Sequence, residues 1–214
     1  MKVHPIPCGW GIAFLIETTR GMFLIDSGSP DQQNRILKKM KALGRDDLKL
    51  IWITHAHYDH YGSASELRKI TGALIGVHID DAVSMTAGFS PLGTTRRYGF
   101  IYPPVQKALN HFHPLPPTPP DFVCEDGDTL EQYGLEASIL HTPGHTPGHT
   151  CVKLEEGIVF AGDLLGGFPQ PGLQSLLATN WNQLSISLLI LQAAKPKWIY
   201  IGHSIQLISG EMIY

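Results

Sequence analysis

The chain has 214 residues, 43% of them hydrophobic, which is enough for one sizeable domain with a buried core. Its formal net charge is -3 and its basic residues are scattered, so the composition argues against a nucleic-acid-binding protein. Three widely spaced cysteines argue against a disulfide framework, and neither a signal peptide nor a membrane-spanning run is predicted. We therefore expect a cytoplasmic protein with no membrane or nucleic-acid partner, folded as a single domain over residues 1–214.

Short apolar runs alternate along the chain with turn signals and with helical patterns. The runs predicted as strands are 12–16, 22–25, 50–54, 73–77, 137–140, 157–161 and 198–201. Helices are predicted from Ser29 and Pro30, as N-cap and first helical residue, to Gly44, and then over 63–70 and 183–194. This mixture of strands and helices indicates an α/β or α+β fold.

The segment at about 86–121 differs in composition from the rest of the chain. It contains the pair Arg96 and Arg97, several aromatic residues and the proline-rich run 114–120. Proline at this density excludes regular strands and helices from that run, although a short helix is predicted at about 105–111. We expect an irregular or helical insert, which is either a surface decoration or a lid over a cleft.

Residues 55–60 read His-Ala-His-Tyr-Asp-His and directly follow the apolar run 50–54. Four of the six side chains are metal ligands, and a loop at the end of a buried strand can direct all four into one cleft. The alternative, that this histidine-rich run is an expression tag, is disfavoured because a tag would lie at a terminus and would not follow a predicted strand. Imidazole and carboxylate groups bind zinc, iron or manganese, so the sequence predicts a metal site here.

Three further strand predictions end in a potential metal ligand. His145 follows the run 138–140 after a short turn, Asp163 follows Gly162, and His203 follows Gly202. Glycine at a strand end leaves the next side chain exposed at the sheet edge, where backbone crowding is least. With residues 55–60, these positions supply five histidines and two aspartates. This set is sufficient for two metal ions that share one carboxylate.

The order of these motifs resembles the metallo-β-lactamase superfamily, from the early Asp26-Ser27-Gly28 motif to His203. The resemblance implies an α+β fold, a four-layer αβ/βα sandwich of two mixed sheets flanked by helices, with the site along one edge. It implies the following metal ligands: His55, His57 and His145 for the first ion, Asp59, His60 and His203 for the second, and Asp163 bridging both. It also implies that Asp26 orients a ligand histidine or the loop backbone, and that His145 is the ligand in preference to His149. We interpret His141 and His149 as residues that form structural hydrogen bonds.

The same resemblance implies a hydrolase with two zinc ions, although iron or manganese is also possible. A hydroxide that bridges the metals would attack a thioester, ester or lactone, with no covalent intermediate. Asp59 would take a proton and deliver it to the leaving group, which makes it the catalytic residue of the protein. The partner is therefore expected to be a small-molecule substrate.

The sequence has features of some subgroups of this family and lacks features of others. The signature at 54–62 resembles glyoxalase II, but few residues follow His203, so we expect that enzyme's C-terminal helical domain to be absent. The doubled Thr-Pro-Gly-His at 142–149 resembles N-acyl homoserine lactonases. Those enzymes have a tyrosine shortly after the bridging aspartate, whereas Asp163 is followed here by Leu-Leu-Gly-Gly-Phe. True β-lactamases normally lack an aspartate at the position of Asp59.

Two other classes remain open. An enzyme similar to sulfur dioxygenases would use largely the same residues to bind a single iron, and the sequence does not separate it from a dinuclear hydrolase. A metal-stabilised binding protein without turnover is disfavoured, because the full ligand set including Asp59 is present.

Aromatic residues predict an apolar substrate pocket. The candidates are Trp10, Phe168 and Pro169, with Phe89, Tyr98, Phe100 and Tyr102 of the insert. Such a lining favours an uncharged or acyl-bearing substrate. The alternative is that these residues only pack the insert onto the domain. Arg96 and Arg97 are candidates for binding a carboxylate or phosphate of the substrate.

Overall fold

The computed structural model describes residues 1–166 and 171–214 of the chain. Within these ranges the strands are β1 (Lys2–Cys8), β2 (Gly11–Glu17), β3 (Met22–Ile25), β4 (Leu48–Ile53), β5 (Leu74–His78), β6 (Thr94–Thr95), β7 (Phe122–Cys124), β8 (Ala137–His141), β9 (Thr150–Leu154), β10 (Ile158–Phe160), β11 (Leu165–Gly166), β12 (Gly172–Leu173), β13 (Leu177–Ala178), β14 (Trp198–Tyr200) and β15 (Leu207–Ser209). The α-helices are α1 (Gln33–Ala42), α2 (Tyr58–Tyr61), α3 (Ala64–Thr71), α4 (Ile79–Ala87), α5 (Tyr102–Phe112) and α6 (Trp181–Ala193).

Two mixed sheets form the centre of the molecule. The first has the strand order β1-β2-β3-β4-β5-β7, antiparallel from β1 to β3 and parallel from β3 to β7. The second has the order β15-β14-β10-β9-β8, in which only the β10–β14 pair is parallel. Because the parallel strands β3 and β4 end at the same edge, the loops that follow them emerge side by side.

The side chains of β2 show how the layers are built. Phe14 and Ile16 point into the core between the sheets, whereas Leu15 points to the opposite face, as the two-residue repeat of a strand requires. Phe14 meets Phe160 of the second sheet with ring centroids 5.3 Å apart. Helices α1, α3 and α4 cover the outer face of the first sheet, and α6 covers that of the second. The predicted four-layer αβ/βα sandwich of the α+β class is therefore confirmed.

All seven predicted strands and the predicted helices are present, with small differences in their bounds. The first helix is the exception, because it begins at Gln33 and not at Pro30. Asp31 has φ +65°, a left-handed conformation that a right-handed helix excludes. The Ser29 hydroxyl accepts a hydrogen bond from the backbone N–H of Trp10 (3.2 Å), so Ser29 ties two loops together and does not cap the helix.

The segment 86–121 begins within α4, which the sequence analysis did not predict. The predicted short helix is present as the longer α5, and the proline-rich run 114–120 has no regular structure, as expected. Strand β6 pairs with β13, which ties this segment to the chain that follows Asp163. In residues 1–166 and 171–214, no helix has both the length and the apolar character needed to cross a membrane.

Candidate metal centre

Three histidines converge at the edge where β4 and β8 end. His55 and His57 lie in the loop after β4, and His145 lies in the loop between β8 and β9. One ring nitrogen of each lies within 4.8 Å of the others, and all three side chains are buried. His55 Nε2 is 3.1 Å from His57 Nδ1, so two rings already direct nitrogens toward one point.

A second group, Asp59, His60 and His203, lies beside the first, with its ligand atoms also within 4.8 Å of one another. Asp163 lies between the two groups. Its Oδ2 is 2.9 Å from His203 Nε2 and 3.5 Å from His145 Nε2, and its Oδ1 is 3.4 Å from His60 Nε2. The structure thus brings all seven sequence-predicted site residues into one cluster.

In each of the five histidines, the ring nitrogen that faces away from the cluster meets a protein oxygen. These contacts are His55 Nδ1 to Thr54 Oγ1 (3.0 Å), His57 Nε2 to Pro91 O (2.5 Å), His60 Nδ1 to Asp26 Oδ2 (2.8 Å), His145 Nδ1 to Leu177 O (3.2 Å) and His203 Nδ1 to Trp10 O (2.8 Å). Carbonyl and carboxylate oxygens only accept, and the Thr54 hydroxyl donates its own proton to Asp26 (2.8 Å), so each outward nitrogen carries a proton. In a neutral ring the inward nitrogen then presents a lone pair, which is how proteins orient metal-binding histidines.

Some polar atoms of the cluster are buried without a hydrogen-bond partner. Within the described ranges, these include His60 Nε2, His145 Nε2 and Asp163 Oδ1. Buried polar atoms almost always have partners, so several unpaired acceptors directed at one point need an explanation. A metal ion would satisfy them together, and nitrogen and carboxylate donors suit zinc, iron or manganese. The residues therefore fit the metal group that the sequence predicts.

The electrostatics differ between the two groups of histidines. Burial, followed by the neighbouring histidines, lowers the pKa of His55 and His145 well below the usual value, so both are neutral at neutral pH and ready to bind a metal ion. Burial opposes the charged forms of His60 and His203, but the adjacent carboxylates outweigh it and raise the pKa of His60 well above its usual value and that of His203 to about 9. Burial alone would raise the pKa of Asp163, whereas His203 and His60 hold it well below its usual range, so it is ionised. Metal binding would therefore displace a proton from His60 and from His203.

Asp26, which directly follows β3, contacts the motif from behind. Its Oδ1 accepts a hydrogen bond from Thr54 N (2.8 Å), and its Oδ2 accepts one from His60 Nδ1 (2.8 Å). Asp26 is buried and has φ +58°, a conformation that costs a non-glycine residue about 1–3 kcal/mol. The predicted contacts to a motif histidine and to the loop backbone are both present.

Sequence analysis missed Asp81, a fully buried carboxylate on α4. Its Oδ2 accepts hydrogen bonds from Ala56 N (2.7 Å) and Thr146 Oγ1 (2.7 Å), and its Oδ1 accepts one from Gly148 N (2.7 Å). Ala56 lies between two motif histidines, and Thr146 follows His145. One carboxylate therefore joins the two loops that supply the first group of histidines.

His149 and His141 both form the hydrogen bonds that were predicted for them. The His149 ring is buried, hydrogen-bonds Thr142, and accepts from the backbone N–H of Asp163 (3.1 Å) through Nε2. Burial first of all lowers its pKa to about 3, so it stays neutral. His141 donates to Pro147 O (2.8 Å) and stacks on His78, outside the cluster.

A cavity of about 220 Å³ opens over the cluster, and a larger one of about 940 Å³ adjoins it. Residues that line both include Trp10, Asp59, Tyr102, Gln174, Leu176 and His203. Of the other predicted pocket residues, Tyr98 lines the outer cavity, Phe89 and Phe100 are exposed and line neither, and Phe168 and Pro169 lie outside the described residues. Arg97 lines the outer cavity, whereas Arg96 lies over the Trp181 ring, 4.2 Å from its centroid.

Comparison with known protein families shows which family has this fold and this cluster of residues. The family model of the metallo-beta-lactamase superfamily matches residues 11–203, a stretch that contains all seven residues of the cluster. The chain belongs to the metallo-β-lactamase superfamily. The expected family membership is therefore confirmed, and it accounts for the two packed sheets and for the motif histidines at their edge.

Individual members of the superfamily are similar to the chain at moderate identity. Hydroxyacylglutathione hydrolase GloC of Haemophilus influenzae is 27% identical over 168 residues, which cover 73% of this chain and 70% of the relative. Hydroxyacylglutathione hydrolase of Pelagibacter ubique is 28% identical over 158 residues, 73% of this chain but only 52% of the relative. Among solved structures, TTHA1623 in a di-iron-bound form superposes with a TM-score of 0.71 at 26% identity, covering 98% of this chain and 96% of that one.

Proposed function

We propose that this superfamily member is a dinuclear metal-dependent hydrolase that acts on a thioester, ester or lactone. The residues that would hold the metals are His55, His57 and His145 for one ion, Asp59, His60 and His203 for the other, and Asp163 for both. The observation that carries this proposal is the orientation of the five histidines. Each donates its outward N–H to a fixed oxygen and directs its other ring nitrogen into the cluster.

Bound first-row metal ions supply Lewis acidity and lower the pKa of a coordinated water to about 7. The chain's own contribution begins with Asp59, which lines the cavity and lies 3.6 Å from His203 Nε2. We assign Asp59 as the residue that accepts a proton during attack on the carbonyl and passes it to the leaving group. Leu92 and Leu177 line the inner cavity, where apolar side chains would limit the access of bulk water to the reacting carbonyl.

The substrate class follows from the cavity and from the relatives. The lining is mainly apolar and aromatic, and the outer cavity has the volume of a drug-sized ligand site, so it can hold an acyl group or the body of a leaving group. Similarity to two relatives named hydroxyacylglutathione hydrolase supports a thioester as the first compound to assay. Zinc is the metal we propose, with iron as the main alternative because a similar solved structure is described as di-iron-bound.

Chelation and reconstitution test the proposal. Protein stripped with a chelator should lose hydrolysis of a thioester, ester and lactone panel and regain it with zinc, iron or manganese. His145→Gln should abolish turnover, whereas the matched variant His141→Gln should retain it, because glutamine can still donate to Pro147 O. Hydrolysis that survives complete metal removal, or an acyl-enzyme trapped by mass spectrometry during turnover, contradicts the proposal.

A further inference from the structure

One face of helix α5 forms a wall of the cavity above the metal cluster. Tyr102, Gln106 and Leu109 line this cavity. They are spaced by four and then three residues, so they lie on the same side of the helix. The insert that contains α5 therefore contributes a defined set of side chains to the site.

Two of these three side chains are anchored by their own contacts. Gln106 Nε2 donates to Ser90 O (3.2 Å), and Leu109 packs against the core on the outer face of the first sheet. These contacts hold the middle of α5 against the domain. Proline in the first turn restricts the backbone that follows Tyr102. Tyr102 is thus presented at the cavity by a fixed element.

Tyr102 differs from the neighbouring tyrosines in its hydrogen bonding. The hydroxyl of Tyr58 donates to His113 O (3.1 Å), and that of Tyr61 donates to Phe89 O (3.0 Å). Tyr102 is half-buried and lines both cavities, yet its hydroxyl has no hydrogen-bond partner among residues 1–166 and 171–214. The Tyr102 hydroxyl is therefore available to a molecule that binds in the cavity.

Tyr102 shares the inner cavity with two carboxylates of the cluster. Asp59 and Asp163 line the same cavity as Tyr102, together with the candidate metal ligands His57 and His145. The tyrosine is therefore close to the place where the substrate's reacting carbonyl would lie. Burial first, and then the carboxylates of Asp163 and Asp59, raise the pKa of its hydroxyl, which keeps it a hydrogen-bond donor.

We propose that Tyr102 is a further catalytic residue, which donates a hydrogen bond to the leaving oxygen of the substrate and so equips the site for oxygen esters and lactones. This inference rests on the proposed hydrolase function. When the bond between the carbonyl carbon and the leaving oxygen breaks, the electron pair goes to that oxygen. The proton that neutralises it comes from the attacking water by way of Asp59, and Tyr102 keeps its own proton. The products are a carboxylate and an alcohol, and the second proton of the attacking water is released to solvent.

The chemistry of the leaving group makes this role specific. A thiolate is the anion of a group with a pKa of about 8.5 and departs with little assistance. An alkoxide is about as basic as hydroxide and far more basic than a thiolate, so its departure needs stabilisation of the developing charge. A donor at the leaving atom therefore matters for alkyl esters and lactones but hardly for thioesters or nitrophenyl esters.

The test compares Tyr102→Phe with the control Tyr214→Phe, which alters an exposed tyrosine that lines neither cavity. We expect Tyr102→Phe to lower kcat for a lactone and for an alkyl ester by about 10²-fold, the typical effect of removing one donor to a developing oxyanion. For the thioester and the nitrophenyl ester with the same acyl group, kcat should change less than about threefold by the leaving-group argument, with KM unchanged. Tyr214→Phe should match the wild type throughout.

Calorimetric binding of a phosphonate monoester gives a second readout, because its ester oxygen mimics the leaving oxygen. Tyr102→Phe should weaken binding about tenfold through the lost hydrogen bond. An equal loss of kcat for all leaving groups, unchanged phosphonate binding, or a wild-type enzyme that turns over thioesters but no oxygen ester overturns the role of Tyr102. Absence of any metal-dependent turnover, with the effect on phosphonate binding retained, would instead overturn the proposed hydrolase alone.

Discussion

Replacement of Asp81 tests how the two histidine loops are held together. The Asp81 side chain is fully buried and accepts three hydrogen bonds of 2.7 Å, from Ala56 N, Thr146 Oγ1 and Gly148 N. Asp81→Ala removes all three and leaves two backbone N–H groups unpaired in the interior. Asp81→Asn keeps the volume and one acceptor oxygen, but its amide N–H would face a donor. Asp80, the next residue on α4, is exposed and provides the control Asp80→Asn.

The magnitude follows from these contacts. Each buried hydrogen bond to a charged group contributes about 1.5–3 kcal/mol, and the relieved cost of burying the carboxylate offsets part of the sum. We expect Asp81→Ala to lower the free energy of unfolding by about 4 kcal/mol, and Asp81→Asn by about 2 kcal/mol. Asp80→Asn should stay within about 0.5 kcal/mol of the wild type, as most exposed substitutions do.

Urea denaturation in the presence of a chelator measures this effect without a contribution from metal binding. Competition with a metal indicator then measures affinity, which should fall at least about tenfold in the Asp81 variants if they still fold. A loss below about 1 kcal/mol in Asp81→Ala, or an equal loss in Asp80→Asn, would refute the account of Asp81 as the link between the two loops.

Other predictions concern the bridging position, the outer cavity and the thiols. A methyl group at Gly202 would lie 2.4 Å from Asp163 Oδ1. Gly202→Ala should therefore weaken metal binding about tenfold or more, as measured by competition with a chelator. A variant with wild-type affinity would show that the carboxylate can move aside. Arg97→Ala should raise KM about tenfold for carboxylate-bearing substrates but not for neutral ones, because Arg97 lines the outer cavity. Arg96→Ala is the control, because Arg96 lies over the Trp181 ring. Equal effects of the two substitutions on KM would contradict a specific role for Arg97. Burial raises the thiol pKa to about 11 in Cys8 and Cys124 and to about 12 in Cys151. Thiol reagents at pH 8 should therefore label the protein only when it unfolds. Rapid labelling of the folded chain would contradict this prediction.

The sequence predicts strands with mainly apolar runs, and it misses shorter or more polar ones such as β7, β9 and β15 as well as β1, which contains prolines. Pro5 and Pro7 occur in β1, and proline cannot donate to a sheet ladder. The structure tolerates them because β1 is the edge strand of the first sheet. A strand at that position needs backbone donors on one side only. Single-sequence reasoning does not show which strand lies at an edge, so it passed over β1.

Local sequence motifs predicted the candidate metal ligands of the site, but the sequence did not predict the long-range contacts that orient them. The spacing of residues 55–60 and the turn before His145 are visible in the sequence. The oxygens that orient the histidines, such as Pro91 O and Leu177 O, are backbone atoms of distant loops. Asp81 has the pattern of an ordinary acidic residue in the first turn of a helix, which the helix dipole favours. Its buried position depends on how three separate segments pack, and no local pattern encodes that.

Metal content per chain tests the central claim most directly. It is measured by plasma mass spectrometry on protein purified without added metal, beside Asp163→Ala as the variant that lacks the shared carboxylate. The account predicts about two first-row ions per wild-type chain and a marked loss in the variant, because Asp163 contacts both groups of histidines. One iron per chain, with the same content in Asp163→Ala, would contradict the dinuclear hydrolase and favour a mononuclear oxygen-dependent enzyme.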